Sequence, residues 1–338
     1  MVTNISVLPF VLAVLLLVSC KPDDDPALPD ETPYVLTVPA GFPPLPAPDD
    51  NQLTVARVAL GKKLFYDPVL SVDSTVACAA CHRQQLAFSD AVPISPGVAG
   101  RLGFRNSPTL ANVGYLPLLL KDGGVETLEI QVLTPLTDHN EMDFDIGAAA
   151  KRLMHHPNYV QMSRLAYGQD PSPSVIVKAL AAFQRTLISG NAPADSPDTL
   201  AALTEAQRRG KQLFFGNTAG CGQCHNGFNY TNNAFINNGL YEVYDDPGRF
   251  RLTQNPSDVG AFRVPTLRNI ALTAPYMHNG SLPTLEAVLD HYQSGGKQHP
   301  NKSPLIQAFV LTPQQRQDLI AFLQALTDTN FVNNPQFR

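Results

Sequence analysis

Four cysteines and two histidines fall into a pattern with one strong chemical meaning. Cys78-Ala79-Ala80-Cys81-His82 and Cys221-Gly222-Gln223-Cys224-His225 both read C-x-x-C-H. Thiols at i and i+3 can each form a thioether to a porphyrin vinyl group, and the next residue supplies an axial imidazole, so the motif attaches haem covalently. A redox C-x-x-C wants a βαβ context, and zinc wants a second ligand pair at suitable spacing. Neither accompanies these motifs, and the two copies use every cysteine except Cys20. The chain therefore reads as a diheme c-type cytochrome, with His82 and His225 as iron ligands.

The elements that position the motifs repeat as well. Gly61-Lys62-Lys63-Leu64-Phe65 precedes the first motif and Gly210-Lys211-Gln212-Leu213-Phe214 precedes the second. Self-similarity over about 145 residues suits a duplicated domain rather than a solenoid. Leu53, Ala56, Leu60 and Leu64 fall at helical spacing and predict a helix capped by Asp49 or Asp50 that ends near Tyr66, before Asp67-Pro68. Thr204 with Gln207 and Thr312 with Gln315 read as capping boxes opening helices 204–215 and 312–326. Residues 190–198 are rich in Pro and Asp, lack large apolar side chains and read as a linker. The expected fold is all-α: two cytochrome c-like domains, 49–190 and 199–338, each with one haem c and long loops between helices.

Composition agrees with this plan and excludes others. The 338 residues carry 24 Lys plus Arg against 29 Asp plus Glu, a formal charge of -5, which disfavours phosphate-driven binding to nucleic acid. Hydrophobic residues make up 44%, enough for one large core or two ordinary ones, so disorder throughout is excluded. Charged residues reach only 16%, with 30 Pro and 22 Gly, so long ordered loops must be organised by something other than solvated helices. The apolar run Val7 to Val18, 12 residues, is too short to span a membrane and reads as a signal h-region. Leu17-Val18-Ser19-Cys20 resembles a lipobox, which gives residues 1–19 as a lipoprotein signal and Cys20 as the acylated residue. No Lys or Arg precedes it, so only the terminal amine supplies positive charge. Nine prolines between Lys21 and Pro48 make 20–48 an extended tether that holds the body away from a membrane.

Over residues 50–325 the chain resembles the bacterial diheme cytochrome c peroxidases and the methylamine-utilisation maturase MauG. The resemblance rests on both haem motifs, Arg105-Asn106-Ser107-Pro108-Thr109-Leu110, Gln131 with Pro135 and Glu141-Met142, Val264-Pro265-Thr266-Leu267-Arg268-Asn269, and Ala274-Pro275-Tyr276-Met277-His278-Asn279-Gly280. It implies that the first haem is peroxidatic and the second transfers electrons. It also implies that Gln131 and Glu141 line the distal pocket with Pro135 packed above the iron, and that Glu141 moves the proton needed to cleave the O–O bond. Glu126, Glu129 and Asp143 are read as ordinary acids. The reductively activated peroxidases carry a distal histidine between the first motif and the Arg-Asn-x-Pro-Thr segment. Here Arg83 to Phe104 holds no His or Met, and Val98 takes that place. The first haem is thus expected to be five-coordinate, with His139, His155 and His156 as the remaining imidazoles to account for and His155 and His156 read as solvated.

For the second haem, the resemblance implies a sixth ligand fourteen residues beyond His278, Met in peroxidases and Tyr in MauG; here that is Tyr292, with His291 as rival. A phenolate stabilises ferric and ferryl iron, whereas thioether sulfur favours ferrous iron. The resemblance further implies a calcium ion held by Asn106, Thr273 and Pro275, and haem propionates contacted by His278 and Arg268. One departure stands out: the family's tryptophan before Asp-Gly is replaced by Lys121 in Lys121-Asp122-Gly123-Gly124, and the chain has no Trp. Electron exchange would then run by direct tunnelling or through another aromatic such as Tyr115.

The expected function is reduction of hydrogen peroxide to water with electrons from a small periplasmic donor, a cytochrome c or a cupredoxin, by an exported, lipid-anchored protein acting as a monomer or a homodimer. The alternatives are a MauG-like enzyme that oxidises side chains of a partner protein, favoured by Tyr292, and an electron carrier with both irons six-coordinate.

Overall fold

A computed structural model describes Met1 and residues 28–338. Cys20, the signal and the first part of the tether lie outside the described residues. The body is helical, with long connections. Its main helices among the described residues are α1 (Val55–Tyr66), α2 (Ile146–Met154), α3 (Pro157–Tyr167), α4 (Pro173–Arg185), α5 (Glu205–Phe215), α6 (Leu285–Gln293) and α7 (Pro313–Gln324), with the short α8 (Thr329–Asn333) near the chain's end. Single helical turns fill many of the connections. Among the described residues, strand pairing beyond isolated bridges is one short antiparallel ribbon, β1 (Phe235–Ile236) against β2 (Phe262–Arg263), with Phe235 opposite Arg263.

The same helix crossing occurs twice. In α1, a Cβ on Gly61 would stand 1.9 Å from the Ala179 carbonyl oxygen of α4; in α5, one on Gly210 would stand 1.9 Å from that of Asp318 on α7. Only glycine permits backbones to approach so closely. The repeated Gly-Lys-x-Leu-Phe segment is therefore a packing device. Its phenylalanine meets another four residues beyond the crossing: Phe65 lies 5.1 Å from Phe183, and Phe214 lies 5.2 Å from Phe322, centroid to centroid. Both pairs are fully buried, and each such side chain contributes about 1.5–3 kcal/mol.

Two apolar cores result. Leu60, Leu64, Phe65, Phe88, Leu136, Ile176 and Phe183 belong to one, and Phe214, Leu289, Leu319, Phe322 and Leu326 to the other. The chain's end joins the first core, with Phe331 and Phe337 packing 5.5 and 5.9 Å from Phe88.

Both expected capping boxes are present at Thr204/Gln207 and Thr312/Gln315. The first helix is capped differently: Thr54 Oγ1 accepts from the Arg57 amide at 3.2 Å, while Asp49–Asn51 form a separate 3-10 turn. The described part of the tether is extended but lies on the body. The Asp30 amide donates to Leu165 O, Pro33 bridges Thr54, and Phe42 packs against Tyr115 and Phe228. The segment read as a linker is packed too, since Ala192 and Ala194 are buried and Asp195 binds Arg268.

A buried polar clasp fixes one half against the other. Asn112 and Asn269 both take the left-handed conformation, φ 58°, which asparagine tolerates. Asn112 exchanges hydrogen bonds with the Ser189 backbone (2.8 and 2.9 Å), and Asn269 Nδ2 donates to Ser189 Oγ (3.0 Å). Asp328 accepts from the Ser189 hydroxyl and from the amides of Gly190 and Asn191.

Candidate functional site

Each C-x-x-C-H motif opens onto its own cavity. The first is about 760 Å³ and is lined by Cys78, Cys81 and His82 together with Gln131, Pro135 and Glu141. Cys78–Cys81 form one helical turn, which brings thiols at i and i+3 to one side. His82 ends that turn. Its Nδ1–H donates to the Phe88 carbonyl (2.9 Å), and since a carbonyl only accepts, Nε2 is left with its lone pair free for a metal. Burial lowers the His82 pKa, keeping the ring neutral as ligation requires. Burial pushes the Cys78 thiol up to about 12, with neighbouring Cys81 adding to the shift. A redox or zinc-binding cysteine needs the opposite shift, whereas a thioether sulfur is neutral.

Three segments carry the facing wall. Gln131 ends the helical turn Leu128–Gln131, capped by Thr127, and Pro135 lies in the turn Leu133–Thr137. Glu141 follows in a tight loop whose amides bond back: Glu141 N to Asp138 O (3.0 Å) and Met142 N to Pro135 O (3.1 Å). Gly97 presses on that loop; a Cβ there would meet Asn140 O at 2.1 Å and Glu141 O at 2.4 Å. Glu141 is exposed on the cavity wall. Desolvation by the surrounding protein, with Asp138 adding, pushes its carboxyl up to about 7. It makes no side-chain hydrogen bond among the described residues.

His139, His155 and His156, the imidazoles left to account for, lie away from the first site. His139 is 71% exposed and pairs with Asp143 at 3.2 Å; His155 and His156 are exposed at the junction of α2 and α3. None lines either cavity. Val98 is buried with its amide donating to Glu141 O (2.8 Å), so Gly97, not Val98, lines the wall where the distal ligand was looked for. Met142 and His278 are the other sulfur and imidazole donors on this wall. Of the acids read as ordinary, Glu129 is a structural partner of Arg185 (2.6 and 3.0 Å) and Asp143 binds Arg101 (2.6 Å).

The second cavity, about 290 Å³, is lined by Cys221, Cys224, His225 and Tyr292. His225 repeats the geometry of His82, with Nδ1–H donating to Tyr230 O (3.2 Å) and burial lowering its pKa to about 4. Tyr292 and His291 are adjacent on α6 but differ in what they face. His291 Nε2–H donates to Asn238 O (3.1 Å), and the residue does not line the cavity. Tyr292 does, its hydroxyl oxygen accepting from Asn238 Nδ2 (3.4 Å), and burial raises its pKa. The same Asn238 amide reaches Met277 Sδ at 3.4 Å, and Met277 also lines this cavity.

Asn106, Ser107, Pro108, Lys121 and His278 line both cavities and form the wall between them. The Asn106 amide donates to His278 O (2.9 Å) and its Nδ2 to Val92 O (3.1 Å), while Oδ1 takes no hydrogen bond among the described residues. Thr273 and Pro275 line the second cavity near it. Two expectations are corrected. Arg268 does not face either cavity: 2% exposed, it is held by Asp195 (2.8 and 2.9 Å) and by Phe228 O, and lies over Phe42 and Tyr230. Tyr115 lines neither cavity; its hydroxyl donates to Pro43 O (2.9 Å). The role of Lys121 in the dividing wall was not foreseen. A usable sequence signal for the clasp existed, since Pro108-Thr109-Leu110-x-Asn112 and Pro265-Thr266-Leu267-x-Asn269 match.

The donor sets fit haem c in both cavities: paired neutral thiols, a neutral imidazole with Nε2 free, and apolar walls. Comparison with known proteins agrees. The family described as di-haem cytochrome c peroxidase matches residues 55–198, and one described as RoxA-like, cytochrome c-like matches 261–294. Methylamine utilization protein MauG of Methylorubrum extorquens is 37% identical over 295 residues, covering 83% of this chain and 81% of that protein. Cytochrome c551 peroxidase of Pseudomonas aeruginosa is 33% identical, covering 80% and 82%. A crystal structure of a MauG-like protein associated with microbial copper homeostasis superimposes with a TM-score of 0.85 at 35% identity, covering 90% of this chain and 99% of that one.

Proposed function

The chain belongs to the bacterial diheme cytochrome c peroxidase and MauG family of peroxidase-type oxidoreductases, and from that premise we propose that it reduces hydrogen peroxide to water in the first cavity. The family implies two haem c groups. Cys78, Cys81 and His82 would hold one, and Cys221, Cys224 and His225 the other, with Tyr292 as the second haem's further ligand. Bound there, the haems supply the electron-transfer chemistry.

The observation that carries this reading is the grouping of Glu141, Gln131 and Pro135 across one cavity from His82, with the Glu141 carboxyl poised at about 7. A carboxylate tuned near neutrality can accept a proton from one peroxide oxygen and return it to the departing one. Gln131, which both donates and accepts, orients the substrate. Pro135 offers no N–H and adds an apolar surface to the first cavity's wall. Each peroxide takes two electrons and two protons and leaves as two waters, and a small cytochrome c or cupredoxin supplies the electrons.

A second reading is oxidation of side chains on a partner protein, as in MauG. Its support is Tyr292, a hard anionic donor that would favour oxidised iron in the second cavity. Asn106, Thr273 and Pro275 offer only oxygen donors beside the dividing wall, which suits a calcium ion. The export reading places the protein on the periplasmic side, held through Cys20. Among the described residues no helix is long and apolar enough to cross a membrane.

Turnover separates the two readings. Peroxide added to the purified holoprotein with reduced cytochrome c is expected to oxidise two cytochromes per peroxide consumed. Failure to oxidise cytochrome c or cupredoxin donors, with oxidised residues appearing in a partner protein, would favour the second.

A further inference from the structure

The wall between the cavities contains a cation with nothing to balance it. Lys121 lines both cavities, and its ammonium has no hydrogen bond or ion pair among the described residues. Two carboxylates close to it, the adjacent Asp122 and Asp246 on the first cavity's wall, are already engaged. Asp122 is taken by Arg105 (2.7 Å) and Arg251 (2.6 Å), and Asp246 by Arg105 (2.6 Å). Arg263 and Arg105 are the charged neighbours that disfavour the Lys121 ammonium. Arg263, on β2, lines the second cavity; among the described residues its guanidinium has no carboxylate partner and donates to Leu120 O (3.3 Å). His278 completes the wall, stacked on Phe262 at 4.1 Å. Burial and the two guanidinium groups push the Lys121 ammonium down to about 7, a mark of a cation lacking its anion.

A half-buried cation with no partner on the described chain is placed to take an anion that enters the cavities it lines. Both cavities reach Lys121, and a haem carries two carboxylate side chains. Resting on the reading that each cavity holds haem c, we propose that Lys121 is the shared anchor for carboxylates of both haems, and that its charge raises both reduction potentials. An ammonium with three donors can serve two carboxylates at once. A cation near both irons favours the added electron on each, so one side chain ties the two potentials together.

The test uses the full-length holoprotein and its Lys121→Met and Lys121→Arg variants in spectroelectrochemical titrations. Lys121→Met removes charge at nearly constant volume and is expected to lower the reduction equilibrium constant of both haems by about tenfold, ~59 mV for a one-electron couple. Lys121→Arg is expected to keep both within about threefold. A shift at one haem alone, or at neither, overturns the shared anchor. A crystal structure of the wild-type holoprotein tests it without a variant: Lys121 Nζ should lie within about 4 Å of a carboxylate from each haem, and carboxylates turned elsewhere overturn it. Haem stoichiometry is measured separately, because fewer than two haems per chain would remove the premise itself.

Discussion

Replacing Glu141 by Gln keeps the shape of the first cavity and removes a wall carboxyl pushed up to about 7. The neighbouring Gln131 remains and can still orient peroxide, but an amide cannot accept and return a proton. General acid–base catalysis by one positioned group contributes about 10²–10⁴-fold, or about 2.7–5.4 kcal/mol. A carboxyl held at about 7 puts the expected loss of kcat in the upper half of that range at pH 7. The sign of the pH dependence follows from the same shift. Glu141 must start as carboxylate, so the wild-type rate should rise about tenfold from pH 6 to pH 8 as the group ionises. In Glu141→Gln that rise should disappear. Stopped-flow oxidation of a reduced cytochrome c by peroxide reads both quantities. A variant that keeps more than a tenth of the wild-type rate, or the same rise with pH, would show that Glu141 is not the proton carrier.

Tyr292→Phe should alter the absorption and spin state of the second haem and leave the first unchanged; an unaltered spectrum would assign the ligand elsewhere, and His291→Phe, which removes only a bond to Asn238 O, is the control. Gly210→Ala gains about 1 kcal/mol of helix propensity but forces a Cβ into the Asp318 carbonyl, where overpacking costs typically 1–3 kcal/mol or more. Chemical denaturation should therefore show net destabilisation, and the parallel Gly61→Ala should behave alike because its contact is the same. Asp195→Asn leaves the buried Arg268 guanidinium short of its counter-charge, with an expected loss of about 3–5 kcal/mol; an unchanged midpoint would mean that Phe228 O and the two rings suffice.

What was legible in the sequence follows the range of the interaction. The caps at Thr204 and Thr312 are settled within four residues and could be read directly. So could the thiol pairs, whose spacing is their chemistry. Gln131, Pro135 and Glu141 were placed by resemblance, and they do share a cavity with His82. Longer-range features were misread. Arg268 looks like a cavity residue in its motif, but its partner Asp195 lies 73 positions away in a stretch whose Pro-rich composition suggested a linker. The tether shows the same failure, because nothing local announces that Phe42 packs against Tyr115 and Phe228. Lys121 was seen only as a substitution. Its significance depends on Asp122 being consumed by Arg251 from the other half, which no local pattern encodes.

Peroxide chemistry in the first cavity requires one coordination position free of protein ligands, and electron paramagnetic resonance of the resting ferric holoprotein reports this directly. The account predicts a high-spin signal from the haem at His82 beside a low-spin signal from the haem at His225. Two low-spin signals, with Met142 or an imidazole bound opposite His82, would contradict it.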